Sequence, residues 1–366
     1  MNNNNANVAV ARDVFSGAGG NISQTLLSHG VHGLRPFIGK DGQNYITTNG
    51  ADGKPANLVT NAPATLRYLD WLTIDRAVIA AAKPRLRLVA DLRSAGLQYS
   101  IAEGMGKTTL LTENVTDIGF ADVNMDGLTK TKGERPEYNL VNLPLPIIHK
   151  DFSFPLRELM VSRNSGTPLD TTTAELAGRR VAEAVEQLAI GNWGSYAFGG
   201  NSVYGITNYP NRITKTITEP ITSSWMPSTT VTEVLDMVQK SRLAFHYGPW
   251  VLYVSNLWDQ YLDRDYTLTG GNNPNQTLRE RLSKINGIQD IRTLDYMTGY
   301  QLVLVQQTQD VIREVVAMDI TTVQWQTQGG MELNFKVMAI MVPQVRADAY
   351  GNTGLVHGVG ATTAAS

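Results

Sequence analysis

Two short polar stretches carry the residues best placed by type and spacing to do chemistry. Residues 104–109 read GMGKTT, with the Gly-Lys-Thr ending of a phosphate-binding loop. That loop needs a further glycine five positions before its Gly-Lys pair, and Ile101 stands there. No helical pattern follows, so no N-terminal dipole would face an anion, and an exposed loop is expected. Residues 122–127 read DVNMDG, with oxygen-bearing side chains at Asp122, Asn124 and Asp126 before a glycine turn. This resembles the first half of a calcium loop, but the closing glutamate would fall at 133, which is Gly133. A polar hairpin tip, with no metal, is the expectation.

Other chemistry fades in the same way. The five histidines (His29, His32, His149, His246, His357) lack the i, i+4 spacing of a helical metal pair. There is no cysteine, which excludes disulfides and thiolate metal sites. No Gly-x-Ser-x-Gly nucleophile elbow occurs. Glu183 and Glu186 fall on what reads as the solvated face of a helix, where carboxylates serve solubility. No catalytic residue, no cofactor and no enzyme are expected; a hydrolase or kinase would need a convergent polar pocket.

Elements must then carry the interest, and the longest is 170–190, DTTTAELAGRRVAEAVEQLAI. Leu176, Ala177, Val181, Ala184, Val185, Leu188 and Ala189 fall on one side at helical spacing, and Glu175, Arg179, Glu183 and Gln187 line the other. Asp170 or Thr171 is placed to cap it, Thr172 with Glu175 has capping-box spacing, and Gly191 is a stop signal. At 1.5 Å per residue it is a strut about 30 Å long. Val181 and Val185 are expected to be buried, Glu183 and Glu186 exposed.

Composition allows at least one sizeable core, in two lobes, within 366 residues. A formal net charge of -2 gives no global attraction to nucleic acid or to an anionic membrane. The first residues lack the apolar run of a secretory signal and no apolar run reaches the length of a membrane span, so a soluble, non-exported chain with no membrane partner is expected.

Along the chain, 1–64 is rich in Asn, Gly, Thr and Ala, with glycine turns and scattered apolar residues such as Phe15, Leu26, Phe37 and Ile38. It reads either as disordered or as an arm ordered by lying on something else, such as other subunits, and the scattered apolar residues favour the arm. A helix is expected over 64–82, a strand or short helix over 86–92, a strand over 97–102 and one long alternating strand over 139–154. The polar residues between the last two make a projecting hairpin. Beyond the long helix come a helix at 229–243, strands at 250–254, 289–294 and 301–306, short helices at 257–261 and 277–285, and a flexible loop at 268–276. Antiparallel strands at 321–327 and 332–347 close the chain, with Leu333, Phe335, Val337, Ala339 and Met341 alternating as a half-buried sheet should.

This order of parts resembles the major capsid protein of tailed bacteriophages, the Hong Kong 97-type fold that encapsulin shells share. The resemblance is clearest over LPLPIIHKDFSFPLREL, the 170–190 helix, GNWGSYAFGGNSVYGITNYPN, and 318–358, which is similar to the closing strands of capsid subunits. It implies an α+β chain with an N-terminal arm (1–64), a helical joining segment (65–96), an extended loop (97–146), a peripheral domain (147–224 and 310–366) with its spine helix at 170–190, and an axial α/β domain (225–309). It implies a homo-oligomer, pentamers and hexamers of an icosahedral head in a virion, assembled in the bacterial host cytoplasm around double-stranded DNA. Scaffolding, portal and decoration proteins are conceivable partners; no charged scaffolding segment opens the chain, so a separate scaffold, or none, is expected. An encapsulin-like shell holding a protein cargo is the alternative. Subunit contacts are expected at Phe15, Phe37, Lys107, Lys130, Lys132 and Arg135, in the arm and extended loop. Some relatives join a hairpin lysine to a neighbour's asparagine; here Lys107, Lys130 or Lys132 would supply the amine and Asn352 the acceptor, but no glutamate is placed as the base, and no cross-link is expected.

Overall fold

The computed structural model describes residues 35–49, 55–59, 66–102, 104–115, 123, 125, 135, 138–165, 171–194, 196–223, 225–266, 276–327, 331–348 and 350–360. The strands are β1 (Phe37–Ile38), β2 (Asn44–Asn49), β3 (Pro55–Val59), β4 (Gln98–Ser100), β5 (Thr109–Val115), β6 (Tyr138–Pro144), β7 (Ile148–Pro155) and β8 (Tyr196–Phe198). Then come β9 (Asn201–Val203), β10 (Ile213–Ile217), β11 (Trp250–Ser255), β12 (Ile288–Leu294), β13 (Gln301–Gln306), β14 (Ile312–Thr327), β15 (Glu332–Val345) and β16 (Leu355–Gly360). The helices are α1 (Tyr68–Ala82), α2 (Arg87–Ser94), α3 (Leu156–Ser165), α4 (Thr172–Ile190), α5 (Pro227–Leu243), α6 (Asp259–Leu262) and α7 (Leu278–Ser283).

The spine helix α4 packs across a four-stranded sheet of order β4-β14-β15-β7. Its long hairpin pairs Ile312 with Val345 at one end and Thr327 with Glu332 at the other. Phe335, Val337, Ala339 and Met341 of β15 face the core that contains Val181 and Val185. Phe335 stacks on Phe152 at 5.1 Å and meets Trp71 edge-on at 5.9 Å. The alternate residues Met338, Ile340 and Val342 are buried too, with Ile101, Leu143 and Leu145 on the opposite face. The sheet is therefore covered on both sides over much of its length, not half-buried as the alternation implies.

A second, mixed sheet has the order β10-β16-β13-β11-β12. One face packs Trp250, Leu252 and Val254 against Val234 and Met237 of α5 and Leu278 and Leu282 of α7. The other face gives Val251, Tyr253, Val303 and Val305 to the core beneath the spine helix. Two of the five strands, β10 and β16, come from outside 225–309, and β16 sits inside the sheet.

Local chemistry explains how α4 differs from its sequence pattern. Its N-cap is Thr171, whose hydroxyl donates to the Glu175 carboxylate at 2.9 Å instead of accepting a backbone N–H, so no capping box forms at Thr172. Leu176 is 47 % exposed because it shares a line with Arg180 and Glu183, and Ala174, Gly178 and Ala182 take the inward places. A Cβ at Gly178 would lie 2.8 Å from Val78 Cγ1 and 2.9 Å from the Val78 carbonyl oxygen, so glycine is what lets α1 approach this closely. Val181 and Val185 are buried, and Gly191 ends the helix in the left-handed conformation.

Of the two carboxylates expected at the surface, Glu183 is half-buried and Glu186 turns fully inward. Glu183 is held by Arg180 at 2.8 Å and lies near Arg179 and Arg85. Glu186 is 1 % exposed. It follows Ala182 by four and precedes Ala189 by three, so spacing places it on the apolar face and only its charge argued otherwise. Helix α2 has no capping side chain of its own, since its N-cap is Leu86. Glu186 supplies one from the neighbouring helix: Oε1 accepts from Leu88 N–H at 2.7 Å and Oε2 from Val89 N–H at 3.4 Å. Burial still outweighs these bonds and pushes the Glu186 carboxyl up to about 7. At the far end of α2, Arg93 donates to Glu314 (2.8 and 3.2 Å) and to Asp319 (2.8 Å). Burial raises the Glu314 carboxyl against the pull of Arg93.

Three further expectations change. Residues 139–154 form two strands, not one: β6 pairs with β5, β7 with β15, and the chain crosses between sheets where Pro144 and Pro146 withhold N–H donors. Residues 98–100 join β14 in parallel, so the first strand of the projecting hairpin is β5. Residues 35–49, expected to be ordered by other subunits, dock on their own chain. Arg35 pairs with Asp75 at 2.6 Å and lies over the Trp71 ring at 4.4 Å, while Trp71 Nε1 donates to the Pro36 carbonyl at 3.2 Å.

Two outcomes follow from α4. Val185→Asp places an unpaired charge in the core and is expected to cost more than about 3 kcal/mol, read as loss of soluble folded protein. For Glu186 the folded carboxyl lies above the ordinary 4.5, so between about pH 4.5 and 7 the folded chain holds a proton that the unfolded chain has lost. Stability from this group therefore falls as pH rises through that window, by roughly 3 kcal/mol in all. Glu186→Gln keeps an acceptor for Leu88 and should flatten that slope in urea melts at pH 5 and 7.5. Glu186→Ala removes the cap and should be destabilised by about 1–3 kcal/mol.

Candidate assembly interface

The projecting hairpin is built from β5 and β6, paired from Thr109↔Pro144 to Val115↔Tyr138. Its base is fixed to the body. Leu143 and Leu145 are buried with Ile101 and Val315, Leu145 N–H donates to the Thr108 carbonyl at 2.9 Å, and Gln344 Nε2 donates to Thr112 Oγ1 at 3.2 Å. Further out the burial stops. Leu111, Tyr138 and Leu140 are 59 %, 63 % and 65 % exposed. The register pairs Leu111 with Asn142, Glu113 with Leu140 and Val115 with Tyr138, so these three large apolar residues share one face of the ribbon. A two-stranded ribbon with one apolar face in water is at best marginally stable alone, and covering that face removes the cost.

Beside the hairpin, a second short ribbon joins β8 to β9 through Gly199 and Gly200, both at positive φ (59° and 79°). It presents Tyr196 and Phe198 to solvent, and Trp193, just before it in the chain, is exposed as well. The signal is in the sequence: two glycines between YAF and NSV are a two-residue hairpin turn. Between this ribbon, α4 and β7 lies a groove of about 540 Å³, lined by Ile147, Ile148, Ala184, Leu188, Trp193 and Tyr196. Arg180 and Lys150 stand at its rim.

The sequence-derived contact residues are scattered in their setting. Lys107 is exposed just after a helical turn at Gly104–Gly106 that packs on β14, and Arg135 is exposed. GMGKTT thus forms a turn leading into a strand, with no helix N-terminus to hold a phosphate. Phe37 is half-buried against its own chain, between the rings of Tyr45 (5.9 Å) and Tyr68 (5.6 Å). Asn352 closes a tight loop: its Nδ2 donates to Asp348 Oδ2 at 2.9 Å, and its N–H to Oδ1 at 2.7 Å. Phe15, Lys130, Lys132, the DVNMDG residues Asp122, Asn124 and Asp126, and most of the loop at 268–276 lie outside the described residues. Among the described residues no cluster of histidines and carboxylates could hold a metal, and no helix is long and apolar enough to cross a membrane.

A family model described as a family of unknown function (DUF6260) matches residues 61–358. No curated protein sequence matches the chain. Among solved structures, the virus-like particle of Pyrococcus furiosus is similar with a TM-score of 0.54 and 17 % identity, over 79 % of this chain and 99 % of that one. The capsid of Myoviridae phage XM1 is similar with a TM-score of 0.53 and 10 % identity, over 69 % and 86 %. At these identities the likeness establishes the fold: helix and sheet are combined as in Hong Kong 97-type capsid proteins and the related virus-like particle. The chain combines a two-stranded ribbon, a long helix on a long-stranded sheet and a mixed-sheet lobe within that fold, and it belongs to the family of unknown function DUF6260.

Proposed function

We propose that this chain is a major capsid protein, a structural subunit that assembles into an icosahedral bacteriophage head around double-stranded DNA. The observation that carries the reading is the β5–β6 ribbon. Its base is welded to the body, and its outer face shows Leu111, Tyr138 and Leu140 to solvent. Nothing of its own subunit covers that face among the described residues, and in a capsid fold a neighbouring copy is there to do so. No enzymatic role is proposed: the buried Glu186 has helix-capping work, and the paired carboxylates Glu314 and Asp319 are held by Arg93. An encapsulin-like shell around a protein cargo is the second reading, supported by the match over 99 % of the Pyrococcus furiosus particle chain.

Leu111→Asp together with Leu140→Asp tests the ribbon. Both positions are exposed, so subunit stability should change by about 0.5 kcal/mol or less per site, while shells vanish from negative-stain images. Shells that form as in the parent would remove the ribbon from the interface. Particles from the native source should contain nuclease-protected double-stranded DNA; particles holding a protein cargo and no DNA would favour the second reading. On denaturing gels the shells should run as one band near 40.0 kDa, and a ladder of multiples would reveal a cross-link.

A further inference from the structure

At the free edge of the mixed sheet, beside β10, an open cleft of about 780 Å³ is lined by Arg212, Thr214, Lys215, Lys240, Gln301 and His357 among others. Among the described residues no carboxylate lines it. Arg212 is half-buried, and its partners are neutral: Nε donates to His357 Nδ1 at 3.2 Å and Nη1 to the Tyr209 carbonyl at 2.8 Å. Nη2 makes no hydrogen bond among the described residues. Among the described residues Lys240 Nζ donates only to the Thr214 carbonyl, at 3.1 Å, while Lys215 is paired with Asp236 on α5. The cleft thus gathers three cations, of which Lys215 is paired with a carboxylate outside the lining, in a chain whose formal net charge is -2.

The buried ring at its floor fits the same pattern. His357 is 3 % exposed, and its Nδ1 accepts from Arg212, so Nε2 carries the proton toward Gln301 Oε1 at 3.2 Å. Burial and the adjacent guanidinium push it down to about 4, so the ring stays neutral and holds Arg212 in place without competing for an anion. The fixed guanidinium offers a free amine edge, the exposed hydroxyls of Thr214 and Thr216 add donors, and Lys240 adds a mobile charge.

We infer that this cleft binds a phosphate group, with Arg212 as its fixed donor and Lys240 as its second cation. The inference goes beyond shell formation and does not depend on it. A free phosphate and the phosphodiester of a nucleic-acid strand share this chemistry. Calorimetry on the full-length chain at constant ionic strength tests it with two probes, inorganic phosphate and the thymidine dinucleotide phosphodiester. Phosphate should bind at one site per chain, with a dissociation constant on the order of 1 mM or tighter. Arg212→Gln and Lys240→Gln should each weaken it about tenfold or more, as loss of a charge-assisted bond does. Lys284→Gln, an exposed lysine of the same lobe outside the cleft, should leave it unchanged. Binding of phosphate alone identifies a free-ion site, and binding of the dinucleotide with the same variant pattern identifies a strand site. Lys240→Gln decides the matter if Arg212→Gln fails to fold. Absence of saturable binding by either probe, or equal weakening by Lys284→Gln, would overturn the assignment.

Discussion

A carboxylate buried in the spine helix, capping a helix that cannot cap itself, is the constraint from which the rest of the architecture hangs. Glu186 sits on α4 and satisfies the first N–H groups of α2, and Arg93 at the other end of α2 is clamped by Glu314 and Asp319 from the long hairpin. One two-turn helix is thereby fastened at both ends to two different elements. Breaking either end would leave a buried carboxylate or buried N–H groups without partners, which costs more than the bond itself contributes. The spine helix, α2 and β14 are therefore tied together by buried polar contacts. Because β14 and β15 are covered by α4 on one face and by the ribbon's base on the other, the direction in which the ribbon leaves the body is set by those same elements.

A shell of the kind proposed would need this rigidity. Subunits that tile a closed surface must present their contact faces at a repeatable angle, and loops alone would not hold one. Here the outer part of the ribbon is apolar on one face, while its root is buried among Ile101, Val315 and Met338. The N-terminal segment works differently. Between Arg35 and Asn49 it is tied to the body by the Arg35–Asp75 pair and the Trp71 contacts, so it reinforces its own subunit first.

Much of this was legible in the residues, and the failures share causes. The long helix, the buried strands at 250–255 and 301–306 and the closing hairpin announced themselves by periodicity, since burial on one or both faces leaves a regular apolar pattern. The register of 98–100 was not legible, because a three-residue strand that joins β14 in parallel has its partner more than two hundred residues away. Glu186 was misread because residue type was weighed above position: its spacing belonged to the apolar face, and only the neighbouring uncapped helix explains a charge there. The ribbon's proposed interface role rests on resemblance plus exposure, since an apolar surface residue looks the same in sequence whether it meets a core or a neighbour. The cation cleft was invisible for a related reason: Arg212, Lys240 and His357 come from three elements that only the mixed sheet brings together.

The central claim is that the ribbon's apolar face is an interface between copies of this chain. Electron cryo-microscopy of the full-length protein, purified at micromolar concentration, addresses it directly. The account predicts closed, uniform shells in which density from a neighbouring subunit covers Leu111, Tyr138 and Leu140 on every copy. A population of 40.0 kDa monomers, or shells in which that face stays open to solvent, would contradict it.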